Sequence, residues 1–328
     1  METNSRIQRR KQRKKRRRWL WVLSPIVVLL VVAIVYGGYL ASKMADVTNE
    51  AHQQLERGEK SERRIKPVYP GKDNFSVLLI GVDERPGETR SRSDVLLLAT
   101  FNKDEPSIKM VSIPRDSLVE IPGRGQDKIN HAHAFGGVDL AVETVEELFD
   151  IPVDFYVKLN FQAFVDIIDA LGGVTVEVPF TFSEQDSSGK QDAITLYEGV
   201  QTLNGEEALA FVRMRKKDPL GDIGRGQRQQ EVVRALIKKA ASITSITKYD
   251  DVLEGLGDNI SMNLTFQNII ALHPYAGALK SIDSLKLEGE DAYIDGTYYY
   301  ALKDESVEEV SHQLKLHLGL EQENEMIQ

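Results

Sequence analysis

The sequence predicts an α/β domain, a central and largely buried sheet with helices on both faces, set behind a single membrane-spanning helix. Three observations carry that prediction. Apolar runs of strand length alternate along the chain with segments of helical period, the pattern of interleaved strands and helices. An uncharged stretch long enough to cross a bilayer stands near the N-terminus. The 328 residues are 41% hydrophobic and 28% charged and contain no cysteine, so stability must come from a packed core, and small disulfide scaffolds and thiol chemistry are excluded.

Residues 1–18 form a basic tail, with ten Lys/Arg against the single acid Glu2, a charge of +9. Residues 19–41, WLWVLSPIVVLLVVAIVYGGYLA, carry no charge and as a helix would extend roughly 34 Å. Trp19, Trp21, Tyr36 and Tyr39 stand near its ends, where amphipathic rings favour the interface, and the basic block sets the N-terminus on the cytoplasmic side. The expectation is a single-pass cell-membrane protein whose remaining chain is extracellular. A cleaved signal peptide would have a shorter apolar region and a small-x-small site behind it. Lys/Arg runs also neutralise nucleic-acid phosphates. Beside a span, however, such a run is the topology signal and an attraction to anionic lipid, so no nucleic acid is expected as a partner. The net charge of −9 includes the tail's +9, so the external part carries −18 and a basic site there stands out against its surroundings.

Residues 42–74 are polar and read as an extracellular stem; NEAHQQLERGEKSERR is helix-compatible until Pro67 and Pro70. The folded external domain is assigned to 75–318 and a C-terminal tail to 319–328. Strands are predicted at Ser76–Val82, Val95–Phe101, Ile108–Ile113, Phe155–Leu159 and Val174–Val178. Helices are predicted at Leu140–Phe149, opening after Gly136-Gly137, and at Phe161–Leu171, stopped by Gly172-Gly173. LNGEEALAFVRMRK reads as a helix capped by Asn204, GQRQQEVVRALIKKA as a longer one, and DESVEEVSHQLKLHLG as a closing amphipathic helix.

The chain has no Walker A sequence, no dinucleotide fingerprint, no H-E-x-x-H and no nucleophile elbow. His131 and His133 lack a third ligand of matching type and, two apart, share no helix face, so they read as structural or surface residues. The remaining signal is aspartate and arginine. Asp83 follows the run VLLIGV and Asp94 precedes VLLLAT, which puts two carboxylates at the same end of adjacent strands. They suit Mg²⁺, or Mn²⁺ in its place, or they balance Arg85, Arg90 and Arg92; spacing alone leaves both open. In FVRMRKKDPLGDIGRGQRQQEVVR, Arg213 and Arg215 end one helix while Arg225 and Arg228 begin the next. Guanidinium forks at a helix N-terminus favour a phosphate, the alternative being a solvated basic face. Arg115 and Asp116 follow a strand that ends at Pro114, and Lys128 and Asn130 are expected in the loop before Gly136-Gly137.

LLIGVDER, RSDVLLL, VSIPRDSLVEIPG, KINHAHAFGG, LNGEEALAFVRMR and GDIGRGQRQQ occur in the order and at about the separations of the LytR–CpsA–Psr family, which this sequence resembles over roughly 75–240. The resemblance implies a three-layer α/β/α sandwich with a central mixed sheet and a pocket for a polyprenyl diphosphate. It also implies a phosphotransferase that moves a phosphorylated glycopolymer, such as wall teichoic acid, from that lipid carrier to peptidoglycan. Carried over residue by residue, the family's metal-binding aspartates fall on Asp83 and Asp94, and its diphosphate-binding arginines on Arg92, Arg115, Arg213, Arg215 and Arg225. Asp83, Asp94, Arg92, Arg115 and Arg225 form the implied catalytic group, and Gln229 matches the glutamine of the family's RQ block. The expected partners are the lipid-linked glycopolymer, peptidoglycan and the membrane. Two alternatives use the same residues: a non-enzymatic receptor for a lipid-linked phosphate, and a polyprenyl diphosphate hydrolase. Paired acids argue against the receptor, since pure anion binding is hindered by Asp83 and Asp94 unless a cation bridges them.

Overall fold

The computed structural model describes residues 35–84, 91–215, 218–240, 259–278 and 282–322. The basic tail, residues 19–34 of the expected span, Arg85, Arg90 and the last six residues lie outside them. Among the described residues no helix is long and apolar enough to cross a membrane. The chain divides into two compact units, residues 1–46 and 47–328. Residues 35–51 are helical (α1).

In the second unit β1 (Phe75–Val82), β2 (Ser93–Asn102) and β3 (Ser107–Ser112) form an antiparallel meander. A hairpin of β4 (Leu118–Ile121) and β5 (Gly125–Lys128) leads into α2 (Ile129–Phe149). Gly136 and Gly137 bend α2 where the sequence had placed its start; Gly137 sits at φ +65°, which an L side chain disfavours. After α2, β6 (Phe155–Asn160) joins β1 in parallel. Helix α3 (Phe161–Leu171) follows at once, its Asn160 cap accepting from the Ala163 N–H and Gly172 closing it in the left-handed conformation.

The predicted strand β7 (Val174–Val178) does not enter the central sheet. It pairs with β10 (Gly199–Leu203) in a separate ribbon, beside a second small pair, β8 (Phe182–Glu184) and β9 (Ile194–Leu196). Helix α4 (Gly205–Arg213) starts from a capping box of Asn204 and Glu207, and α5 runs from Gly221 to Ala240. Strands β11 (Ile260–Met262) and β12 (Ile282–Leu285) complete a six-stranded mixed sheet in the order β11-β6-β1-β2-β3-β12. A hairpin of β13 (Gly289–Ile294) and β14 (Thr297–Leu302) precedes the C-terminal helix Asp304–Leu318.

The sheet is buried on both faces. Leu78, Ile80 and Val82 of β1, with Leu96 and Leu98 of β2, pack against Val142, Val145 and Phe149 of α2 and Val310 and Leu314 of the C-terminal helix. On the other face Val77, Leu97 and Ala99 pack in a cluster that includes Val233 of α5. Each large aliphatic chain so buried contributes about 1.5–3 kcal/mol, which makes this sheet the rigid base of the molecule. Residues 52–74, the greater part of the stem expected over 42–74, are not helical and lie against the domain: Leu55 joins its core, and Arg57 and Arg64 pair with Glu146 and Asp154.

Candidate active site

The carboxyl ends of β1, β3 and β6 and the start of β2 share one edge of the sheet, the side on which open α/β sheets hold ligands. The expected neighbours Asp83 and Asp94 both lie there. Their orientation depends on a β-bulge, since Gly81 pairs with Val95 and Val82 with Ser93, leaving Asp94 as an extra residue in β2. Ser93 shares the α2 face with Val82, and Val95 shares the α5 face with Gly81. The bulge therefore turns Asp94 toward α5, where plain alternation would have aimed it at α2.

At this edge Asp94 meets two arginines from elsewhere in the chain. Arg115, just beyond β3, donates from Nη1 to its Oδ1 at 2.5 Å. Arg225, in the first turns of α5 and 5% exposed, donates from Nη2 to the Asp94 backbone carbonyl at 2.8 Å and lies 3.7 Å from its carboxylate. Burial works against the Arg115 charge, but Asp94, Asp116 and Asp222 outweigh it and hold its pKa above the ordinary value. Arg225 responds oppositely: burial, then the neighbouring Arg115 charge, bring it down to about 10 despite Asp94 and Asp222. The shared carboxylate is committed mainly to Arg115. Arg225 is left desolvated, a cation whose charge an anion would relieve.

Asp83 is half-exposed and pairs with Arg213 at 3.1 Å. That guanidinium, at the end of α4, lies 4.4 Å over the Phe161 ring at the start of α3. Arg215 reaches Asp116 at 3.0 Å and Asp222 at 3.7 Å. Arg92 is exposed and makes no hydrogen bond or ion pair among the described residues. The structure thus gathers Asp83, Asp94, Arg115, Arg213, Arg215 and Arg225 along one edge, with Arg92 at the start of β2. Three further members were not singled out as site residues. Asp116 takes Lys128 at 2.8 Å as well as Arg215, and although burial would raise its pKa, these cations and Arg115 hold it below the ordinary carboxylate value. Asp222 stands between Arg215 and Arg225.

Arg228 belongs to a different structure. It is buried, donates to the Phe211 carbonyl at 2.9 Å and to the Met214 carbonyl, and pairs with Asp218, so it clamps the end of α4 onto α5. His131 pairs with Asp127, and buried His133 faces the Ser91 carbonyl at 2.8 Å, the structural roles expected of them. Gln229 accepts from Ser112 at 3.1 Å. It also lines an apolar cavity of about 90 Å³ walled by Leu79, Val95, Phe161, Phe164, Val212 and Val233. This slot between the sheet and helices α3, α4 and α5 lies immediately behind the arginines, since Val212 precedes Arg213.

The donor set fits a hard divalent cation. Asp94 gives Oδ1 to the arginines and Asp83 gives Oδ2 to Arg213, and each carboxylate has a second oxygen. Mg²⁺ commonly takes only one or two carboxylates, filling its other positions with water and phosphate oxygens. No group of three or more His, Asp or Glu that could hold a metal ion occurs among the described residues.

Cations and carboxylates at a sheet edge, with an aliphatic and aromatic slot behind them, define an α/β protein suited to an amphiphile with an anionic head and an apolar tail. The chain belongs to the LytR_cpsA_psr family, whose profile matches residues 38–316. It is 47% identical over 324 residues to the polyisoprenyl-teichoic acid–peptidoglycan teichoic acid transferase TagT of Bacillus subtilis, covering 96% of this chain and 99% of that protein. It is 42% identical over 308 residues to TagU of Halalkalibacterium halodurans, covering 93% and 99%. Among solved structures it is similar to TagT bound to LI-WTA, with a TM-score of 0.70 at 46% identity over 82% of this chain and 100% of that one. TagT with bound octaprenyl pyrophosphate lipid gives 0.66 at 44% identity, again over 82% and 100%.

Proposed function

We propose that this chain is a membrane-anchored phosphotransferase, its three-layer α/β/α domain outside the cell, that moves a phosphorylated glycopolymer of the wall teichoic acid type from a polyprenyl diphosphate to peptidoglycan. The observation that carries this reading is the junction of the two halves of the site. Phe161, whose ring carries the Arg213 guanidinium, and Gln229, bonded to Ser112 at the end of β3, both line the apolar slot, so one molecule can place its diphosphate on the arginines and the start of its prenyl chain against Phe161, Phe164 and Val233. The TagT structure with octaprenyl pyrophosphate, at 44% identity, supports that assignment.

In the transfer, the oxygen of a peptidoglycan hydroxyl forms a bond to the phosphorus that bears the polymer. The bridging P–O bond breaks, and polyprenyl monophosphate leaves with its electron pair. The hydroxyl proton passes to a carboxylate of the site and then to solvent. Arg115 and Arg225 stand ready to stabilise charge on the departing phosphate, and Arg213 and Arg215 to orient the diphosphate, the positioning and electrostatic work that dominates phosphoryl transfer. Asp83 and Asp94 would hold Mg²⁺ or Mn²⁺, which neutralises charge on the diphosphate oxygens. The exchange of Asp94 from Arg115 to a cation would free that guanidinium for the phosphate.

Full-length protein in detergent, given a labelled lipid-linked donor and peptidoglycan oligomers, should move label onto the oligomers. Donor cleaved without transfer would make the protein a hydrolase, and donor bound but unchanged would make it a receptor. Protease added to intact wall-stripped cells should digest the domain and spare the basic tail; a protected domain would overturn the topology.

A further inference from the structure

We propose that the groove between the β13–β14 hairpin and the start of α5 binds the acceptor, as a neutral N-acetylhexosamine glycan strand. The proposal rests on the transferase reading above and assigns the second substrate a place. The groove, about 680 Å³, is lined by Arg215, Leu220, Asp222, Asp291, Tyr298 and Tyr300 among others. Arg215 and Asp222 also belong to the charged edge, so the groove opens directly onto the proposed reaction centre.

The hairpin carries an aromatic platform. Tyr293 and Tyr298 are cross-strand partners with ring centroids 5.7 Å apart at 66°, and Tyr293 is 72% exposed. The platform is tied to the site. The Tyr300 N–H donates to the Asp116 carbonyl at 2.9 Å, and the Lys128 ammonium that pairs with Asp116 lies 5.7 Å and 5.5 Å from the Tyr298 and Tyr299 ring centres. Gly289 permits this closure, because a Cβ there would stand 2.7 Å from the Tyr300 ring and 2.5 Å from the Ala301 carbonyl oxygen. A platform fixed to the phosphate site can present a ligand's reactive group at a set distance, the requirement for an oriented bimolecular step.

The chemistry of the lining selects a sugar. Pyranose rings present C–H faces that stack on tyrosine, while hydroxyl and acetamido N–H groups donate to carboxylates. Asp291, which accepts from the Tyr298 hydroxyl at 3.0 Å, and Glu290 supply those acceptors. The same two carboxylates repel a phosphate-rich chain, so the groove suits an uncharged glycan better than the anionic donor polymer.

The test titrates full-length protein in detergent with a neutral N-acetylchito-oligosaccharide, followed by saturation-transfer NMR, alongside acceptor and donor KM in the transfer assay. Tyr298→Ala and Asp291→Asn should weaken saccharide binding and raise acceptor KM about tenfold, with donor KM unchanged. Tyr293→Ala, at an exposed position where the fold has least to lose, should act in the same direction, and Tyr298→Phe should keep most of the binding. Transfer that proceeds normally while all three disruptive variants keep wild-type acceptor KM would overturn the groove and leave the transferase standing. Saccharide binding that responds to the variants in a protein that transfers nothing would uphold the groove and overturn the transferase.

Discussion

Replacing Arg225 with methionine should leave the empty protein as stable as before, or more so, while removing its grip on the donor. The Arg225 guanidinium is 5% exposed, and burial together with Arg115 brings its pKa from 12.5 to about 10. That difference corresponds to about 3 kcal/mol against the charged form at neutral pH. The sign follows from linkage: below pH about 10 the folded protein carries a charge that it disfavours relative to the unfolded chain, so deleting the charge stabilises. Set against this is the hydrogen bond to the Asp94 carbonyl, worth about 1 kcal/mol; the attraction to Asp94 and Asp222 already counts in the pKa of about 10. Each of these carboxylates retains a guanidinium, Arg115 at 2.5 Å and Arg215 at 3.7 Å. The balance lies between zero and about 2 kcal/mol in favour of Arg225→Met. Urea denaturation of the full chain measures it. The same melts with polyprenyl diphosphate at 100 times the wild-type Kd should show about 2.7 kcal/mol of stabilisation for wild type, and at most about 1.4 kcal/mol for a variant binding tenfold more weakly. A variant that loses more than about 2 kcal/mol yet keeps the full ligand response would show that Arg225 is a structural residue, and the reasoning would fail.

Asp83→Asn and Asp94→Asn should each abolish transfer and weaken Mg²⁺ binding by calorimetry. Half-exposed Asp83 should lose under about 1 kcal/mol of stability, and Asp94, between two arginines, about 1–2 kcal/mol; either variant retaining activity is not a metal ligand. Arg228→Ala should lose about 3 kcal/mol or more in denaturant, because it strands Asp218 and two carbonyls, while the folded fraction binds donor normally. Arg234→Ala should leave donor binding intact but lose about 1 kcal/mol, because Arg234 bonds to Ser284 at β12. His317, between Thr100 and Ser107, is held down to about 4 by burial. Its neutral form therefore supports the fold fully above the unfolded value of about 6.5, and that stability should drain as pH falls from there toward about 4. An acid limb of the stability profile that is identical in His317→Asn would contradict this.

The legible parts of the sequence were those whose signal is local. β1 and β2 are near-continuous apolar runs because both faces are covered, β3 alternates buried and half-buried positions, and α3 is bracketed by Asn160 and Gly172-Gly173. The adjacency of Asp83 and Asp94 was legible too, since consecutive strands with a short connection tend to pair. Partnerships across the fold were not. Arg215 finds Asp116 from 99 residues away, and nothing near either announces it. Arg228 lies one helical turn from Arg225 and matches it in charge, yet only contact with the Phe211 and Met214 carbonyls separates the clamp from the site. The destination of β7 was hidden for a similar reason, because alternation specifies a buried strand without specifying its partner.

The bulge in β2 has a consequence for how variation in this hairpin should be read. Because one surplus residue turns Asp94 toward α5, the aspartate's address depends on a count along the backbone as much as on the side chain itself. Removing Ser93 would preserve every charged group of the edge and almost all of the core, yet restore plain alternation and swing the carboxylate toward α2. Inserting one residue ahead of Val95 would displace it in a comparable way. A homologous hairpin with aspartate retained but length altered by one should thus be inactive, whereas one with several substitutions and the same length can keep its carboxylate in register with Arg115 and Arg225.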